Sequence, residues 1–172
     1  MEYINISRFA SKYSRIVESM GKGLVMLEIH SIDKRTGANY HYFFSNGRKP
    51  PLDVALSPYD SEIAYITYFI QDEKVILENE MPQVTYADNS LKIAENVFSE
   101  KLFEINVCAD FSVYLNGNNL VVVSKNEVSA LTAYSLGQAN CLLLNRNGHI
   151  AGFIMKHLTK NERNALVEAD VI

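Results

Sequence analysis

From Gly23 onward apolar residues recur at every second position, and short polar turns interrupt the alternation repeatedly. A period of two puts successive side chains on opposite faces of a strand, so this part of the chain reads as β-sheet. Residues 24–30 and 40–45 flank Asp33-Lys34-Arg35-Thr36-Gly37, and residues 62–70 and 75–81 flank Gln71-Asp72-Glu73-Lys74. Residues 111–115 and 120–124 flank Asn116-Gly117-Asn118-Asn119, and residues 141–145 and 150–155 flank Asn147-Gly148, the dipeptide best suited to a type I′ turn. Strands joined by tight turns run antiparallel, which predicts a sheet built from successive hairpins. Between Phe103 and Leu115 the alternation never misses, which predicts one long half-buried strand, twisted or bulged along its length.

The two ends of the chain read as helices. Ile6, Phe9, Tyr13, Ile16, Val17 and Met20 recur at spacings of three and four, with Asn5 as N-cap and Gly21 just past the C-terminus. Arg8, Lys12 and Arg15 then form an opposite, solvated stripe. Thr159 and Glu162 stand as a capping box at the start of a final helix that offers Ala165, Leu166 and Ala169 to the core. Arg48-Lys49-Pro50-Pro51 and Ser57-Pro58 bracket the one long loop, because proline disfavours regular structure. The expected fold class is therefore α+β: an antiparallel sheet of hairpins with an N-terminal and a C-terminal helix packed on it. At 172 residues and 48% hydrophobic, the chain is long enough for one core and short for two, which predicts a single globular domain over residues 1–172.

Several function classes drop away on composition. Sixteen Lys and Arg against twenty Asp and Glu give a formal charge of −4, no electrostatic basis for wrapping nucleic acid or lying on a membrane. No apolar run is long enough to span a bilayer, and Met1-Glu2-Tyr3 opens without a signal-peptide core, so a cytoplasmic address is expected. Cys108 and Cys141 form neither a metal spacing nor a disulfide framework, in keeping with a reducing compartment.

Catalytic motifs are absent from the sequence. His30, His41, His149 and His157 have no Cys, Asp, Glu or second His at the offsets of a zinc site, and no metal or cofactor is expected. His41 reads as a satisfied sheet histidine, opposite Ile29 if residues 24–30 and 40–45 pair. Gly21-Lys22-Gly23 runs from helix to strand, the reverse of a phosphate loop, and reads as a helix stop. Cys108 shares its strand face with Glu104 and Asp110, whose charges disfavour a thiolate. Ser57 and Ser135 lie in no nucleophile elbow, and no Ser-His-acid triad is nominated.

Charge resolved along the chain says more than the average. Residues 1–52 carry four acids and eight bases, residues 53–100 ten acids against Lys74 and Lys92, and residues 101–172 six of each, giving +4, −8 and 0. If residues 63–70 and 75–81 pair, one face collects Ala64, Ile66, Tyr68, Ile70, Val75, Leu77 and Met81 as core. The other collects Tyr65, Thr67, Glu78 and Glu80, with Phe69 and Ile76 beside the turn and Asp53, Asp60, Glu62, Asp72 and Glu73 around it. A tyrosine inside a charged rim is a common ingredient of protein-binding surfaces. The candidate partner-binding residues are thus Tyr65, Thr67, Asp72, Glu73, Glu78, Glu80, Asp60 and Glu62.

The run Pro51-Leu52-Asp53-Val54 through Ser57-Pro58, with Glu62-Ile63-Ala64-Tyr65-Ile66-Thr67-Tyr68-Phe69-Ile70-Gln71-Asp72-Glu73-Lys74, resembles stretches of small bacterial toxin-immunity proteins. The resemblance implies a cytoplasmic, non-enzymatic protein that blocks a basic toxin domain by occupying it, with acidic groups giving complementarity. Two other classes stand beside this reading. A small hydrolase or transferase would assemble its site from His41, His149 or Cys108 across the sheet, and requires a polar pocket holding at least two of them. A structural or assembly subunit would extend the long strand into a neighbour's sheet edge.

Overall fold

The computed structural model describes residues 4–7, 13–33, 38–77, 81–87, 90–93, 98–99, 101–126, 129–137 and 139–172. Among these, fourteen strands precede one helix. They are β1 (Ile4–Ser7), β2 (Tyr13–Gly21), β3 (Leu24–Ser31), β4 (Tyr40–Ser45), β5 (Leu52–Leu56), β6 (Ile63–Gln71) and β7 (Val84–Ala87). There follow β8 (Ser90–Ile93), β9 (Glu104–Cys108), β10 (Phe111–Asn116), β11 (Asn119–Ser124), β12 (Leu131–Leu136), β13 (Asn140–Leu144), β14 (Ile150–Met155) and α1 (Lys160–Glu168).

Two six-stranded sheets carry the architecture, in the orders β2-β3-β6-β5-β4-β9 and β10-β11-β14-β13-β12-β7. Each is a hairpin followed by a three-stranded meander whose last strand returns to pair beside the hairpin's second strand. The winding of the two halves is therefore the same. In each sheet a strand from the segment between the halves completes the far edge in parallel, β9 along β4 and β7 along β12. A two-stranded ribbon of β1 and β8 stands apart, with β8 passing close to β12.

The sheets face each other over one core. Val25, Leu27, Ile29, Val54, Ile66, Tyr68 and Ile70 from the first sheet join Phe111, Val113, Leu120, Val122, Leu142 and Phe153 from the second in a single buried cluster. Tyr68 bridges the layers, its ring 5.7 Å from Phe111 and 6.3 Å from Phe153. The outer face of the second sheet is also buried: Val121, Val123, Leu131, Ala133, Cys141, Leu143, Ala151 and Ile154 form a second cluster, with Met81, Val84 and Tyr114 packed on it. Strands buried on both faces read as continuous apolar runs, which is what residues 120–123 and 141–144 look like.

The α+β expectation is overturned: the chain is mostly β, with α1 its only helix among the described residues. In place of the N-terminal helix, residues 13–21 are strand β2, and Arg8 and Lys12 lie outside the described residues. Tyr13, Arg15 and Val17 turn inward while Ser14, Ile16 and Glu18 turn out. Tyr13 and Val17 are an even number of residues apart, so they satisfy a strand face as well as a helix stripe, and pairing with β3 along nearly the whole length decides between them. Gly21-Lys22-Gly23 is accordingly the turn of a β2–β3 hairpin rather than a helix stop.

Two predicted hairpins also fail, for one reason. The proline-bracketed loop contains β5, its prolines lying outside the strand ends where no ladder bond is lost. With β5 available, β6 pairs with β3 on one side and β5 on the other, and a strand has only two edges. Residues 75–77 and 81 thus form no strand against β6, and Ile76 instead bridges Tyr114. Likewise β3 pairs with β2 and β6, not β4, so His41 faces Ala55 and Glu104 instead of Ile29. The long strand predicted from Phe103 to Leu115 breaks at Ala109-Asp110 and passes from the first sheet to the second. Asp110 holds that corner, accepting from Phe111 N (3.0 Å), Lys125 Nζ (2.7 Å) and Asn46 Nδ2 (3.2 Å).

The β10–β11 and β13–β14 hairpins form as the turns predict, with Gly148 at φ 78°. The capping box is also present: Thr159 Oγ1 accepts from Glu162 N and Glu162 Oε2 accepts from Thr159 N, while Ala165, Leu166 and Ala169 are buried. Arg15, expected on a solvated stripe, ties β2 to this helix through both oxygens of Glu162 at 2.7 and 2.9 Å and through the carbonyls of Ala139, Lys156 and His157. No helix among the described residues is long and apolar enough to cross a membrane.

Candidate functional site

Pairing register lays out the outer face of the first sheet as rows of neighbours. One row runs Ile16, Glu28, Thr67, Asp53, Phe43, Asn106. The next runs Ser14, His30, Tyr65, Ala55, His41, Glu104. Met26 and Phe69 lie opposite each other in a third, beside Glu18. These side chains alternate with the core residues of the same strands, so burying one face displays the other.

A cleft of about 410 Å³ opens on this face, lined by Glu28, His30, Phe43, Pro50, Pro51, Asp53, Tyr65, Thr67 and Phe69. Beside the cleft, Ala55 is a small buried side chain between His41 and Tyr65 in the register, which leaves a gap. The gap lets the rings of His41 and Tyr65 meet edge to face at 6.2 Å, while His41 stacks on Phe43 at 5.1 Å. Asp53 anchors this group: His41 Nδ1 lies 2.9 Å from Oδ1 and Tyr65 donates its hydroxyl to Oδ2 at 3.1 Å. On the far side His30 Nδ1 lies 3.0 Å from Glu28 Oε1. Burial, then the charge of Asp53 and its hydrogen bond, push the Tyr65 hydroxyl up to about 12, so it stays a donor.

Of the residues nominated from sequence, Tyr65 and Thr67 stand in the cleft. The others do not join them. Asp60 and Glu62 sit in the β5–β6 connection, where Asp60 Oδ1 accepts from Glu62 N at 3.1 Å and Glu62 is buried. Asp72 and Glu73 lie past the end of β6, lining a separate cavity of about 380 Å³ with Lys22, Gly23, Lys74, Asp170 and Val171. The Glu73 carboxylate is itself engaged by Lys49 Nζ at 2.5 Å and by the Tyr68 hydroxyl at 2.8 Å. Burial and then Glu73 drive the Tyr68 hydroxyl far above its ordinary value, and Lys49 also lies over its ring. That trio pins the loop before β5 to the end of β6. Glu78 and Glu80 lie outside the described residues. The continuous acidic and aromatic surface expected from pairing residues 63–70 with 75–81 is thus not formed, although the predicted faces of β6 hold from Tyr65 to Ile70, with Ile66, Tyr68 and Ile70 buried and Tyr65, Thr67 and Phe69 half-buried. Two expected core residues are corrected: Ile63 is buried in place of Ala64, beside a shift in the β5–β6 register, and Leu77 is exposed.

Sequence reasoning missed Glu28, His30 and Phe43, and placed Asp53 only in the charged rim around Tyr65 and Thr67. Their outward parity was readable in β3 and β4, but their convergence depends on β5 pairing between β4 and β6, and the prolines hid β5. The groups expected to assemble a hydrolase or transferase site lie apart: His41 is on β4, the exposed Cys108 four residues along on neighbouring β9, and His149 beside the β13–β14 turn. Neither cavity is lined by two of them. Burial raises the Cys141 thiol above its ordinary value, the opposite of activation. Among the described residues no group of three His, Cys, Asp or Glu side chains is placed to hold a metal ion. No protein-family model matches the chain, and no curated protein matches it.

Proposed function

We propose that this chain is a non-enzymatic binding protein that docks a partner protein on the outer face of its first sheet. The observation that carries the reading is a contrast between two sheets of the same winding. The outer face of the second is apolar and buried, with Val121, Val123, Leu143 and Ile154 at 0% exposure. The outer face of the first presents half-buried Phe43, Tyr65 and Phe69 around the carboxylates of Glu28 and Asp53 and the imidazole of His30 in a cleft. A concave apolar site with a few convergent polar groups is the usual form of a recognition site, and aromatic anchors with a polar rim are usual at protein interfaces.

In its fuller form, the partner is a basic bacterial toxin domain and the chain is a cytoplasmic immunity protein that occludes it. Support comes from the resemblance of residues 51–74 to immunity proteins and from the carboxylates of Glu28 and Asp53 in the cleft, which suit a basic partner. Within the resembling stretch, Pro51, Asp53, Tyr65, Thr67 and Phe69 all line the cleft. The test is co-expression with the toxin-like product of a neighbouring gene, followed by purification of the complex and a survival assay. Thr67→Arg, which fills the middle of the face, should abolish both complex and protection, whereas Asn147→Arg, in a turn of the other sheet, should change neither. Full protection by Thr67→Arg overturns the docking face, and failure of native protein to protect overturns the toxin reading.

A further inference from the structure

Resting on that docking reading, we propose that the cleft seats a single arginine side chain of the partner, its guanidinium lying over Thr67 between the carboxylates of Glu28 and Asp53. Register fixes the geometry. Glu28 on β3 and Asp53 on β5 are both opposite Thr67 on β6, which places them two strand spacings apart, about 9.6 Å between backbones. The side chain between them is short and uncharged, leaving the space above it for a guest. Asp53 already receives Tyr65 and His41, and Glu28 lies against His30. Each carboxylate oxygen accepts in two directions, so both groups keep acceptor capacity for a second donor.

Charge selects a cation. Facing the cleft or flanking it in the register rows are Glu18, Glu28, Asp53 and Glu104, and among the described residues no lysine or arginine shares those rows. Nearby Lys49 is committed to Glu73 and Tyr68 beyond the end of the face. The walls select arginine over lysine: Phe43, Phe69, Pro50 and Pro51 offer flat apolar surfaces, and a guanidinium is planar, weakly hydrated and stacks on aromatic rings. A volume of about 410 Å³ lies within the range of about 300–1,000 Å³ typical of small-ligand sites.

The probe is N-acetyl-arginine-methylamide, titrated into the ¹⁵N-labelled chain and followed by amide chemical shifts, with the citrulline analogue as its neutral isostere. Saturable millimolar binding is expected, with shifts centred on Glu28, Phe43, Asp53 and Thr67 and little response to citrulline. Glu28→Gln keeps the volume, removes one charge and should weaken the arginine probe about tenfold; Glu18→Gln, on the same face outside the cleft, should leave it nearly unchanged. Equal binding of citrulline, or shifts centred on the Lys22 and Asp170 cavity, overturns the proposal. With a protein partner in hand, the two readings separate: a complex lost in Thr67→Arg but undiminished in Glu28→Gln removes the arginine seat and leaves the docking face. A complex undiminished in both removes the docking face itself.

Discussion

Asp53 is held by donors from two different strands, His41 on β4 and Tyr65 on β6, so one carboxylate fixes the relative pose of three side chains. The Tyr65 hydroxyl reports on this arrangement. Its value in the folded chain is about 12 against an ordinary 10.0, so the stability it contributes is complete below pH 10 and is lost as the pH climbs towards 12. Burial also raises the Tyr68 and Tyr86 hydroxyls, so the spectrophotometric titration that isolates Tyr65 compares native protein with Asp53→Asn: the variant should lose absorbance change near pH 12 and gain it at lower pH, because the charge of Asp53 is removed. A second residue-scale pair works at the opposite end of the pH range. Burial acts to raise the Glu162 carboxyl, but the hydrogen bond from Arg15, the backbone of Thr159 and the guanidinium charge outweigh it and hold the group below its ordinary 4.5. Its contribution is therefore present above pH 4.5 and fades as the pH falls through the lowered value. Glu162→Gln should cost about 1 kcal/mol in urea unfolding at pH 7, since Arg15 keeps its carbonyl acceptors, and the gap from the native protein should narrow in acid.

At the scale of elements, β14 shows how one residue governs a sheet. Gly152 has φ 148°, and a β-carbon there would overlap the carbonyl oxygen of Val122 on neighbouring β11. Gly152→Ala should therefore destabilise by more than about 4 kcal/mol or prevent folding, measurable as a fall in the urea midpoint or as insoluble protein. Which elements were legible follows from where their information lies. The β10–β11 and β13–β14 hairpins and the cap of α1 are specified within a few residues, by Gly117, by Asn147-Gly148, and by Thr159 with Glu162, and all three form. Strand β2 is specified by its neighbour: Tyr13 to Met20 fit a helix stripe when read alone, and only the unpaired edge of β3 makes them a strand. Strand β5 lies hidden between prolines for the same reason. The candidate site shared this fate. Tyr65 and Thr67 were visible on β6, whereas Glu28, Phe43 and Asp53 reach them through pairings that no local pattern records.

At the scale of the whole molecule, two sheets with one winding have been given opposite outer faces. The same substitution should therefore give opposite results. Thr67→Arg on the first sheet should change stability by no more than about 0.5 kcal/mol. Leu143→Arg, at 0% exposure on the second, should unfold the chain or cost about 4 kcal/mol or more, because a charge would be buried among Val121, Val123, Ala151 and Ile154. Denaturant melts of the two variants side by side check this directly, and they also supply the folding control that the docking test needs.

The parallel edge strands carry a kinetic consequence. Strand β9 joins β4 by reaching from Glu104 back to His41, and β7 joins β12 by reaching from Val84 forward to Leu131. Neither sheet can close its last edge from its own half of the chain. Such long loops must be closed before their contacts stabilise anything, so folding should be slow, in the range of about milliseconds to seconds. Because the two closures share one connecting segment, both sheets should appear together: stopped-flow signals from fluorescent probes placed near Tyr65 and near Tyr134 should rise with a single rate constant.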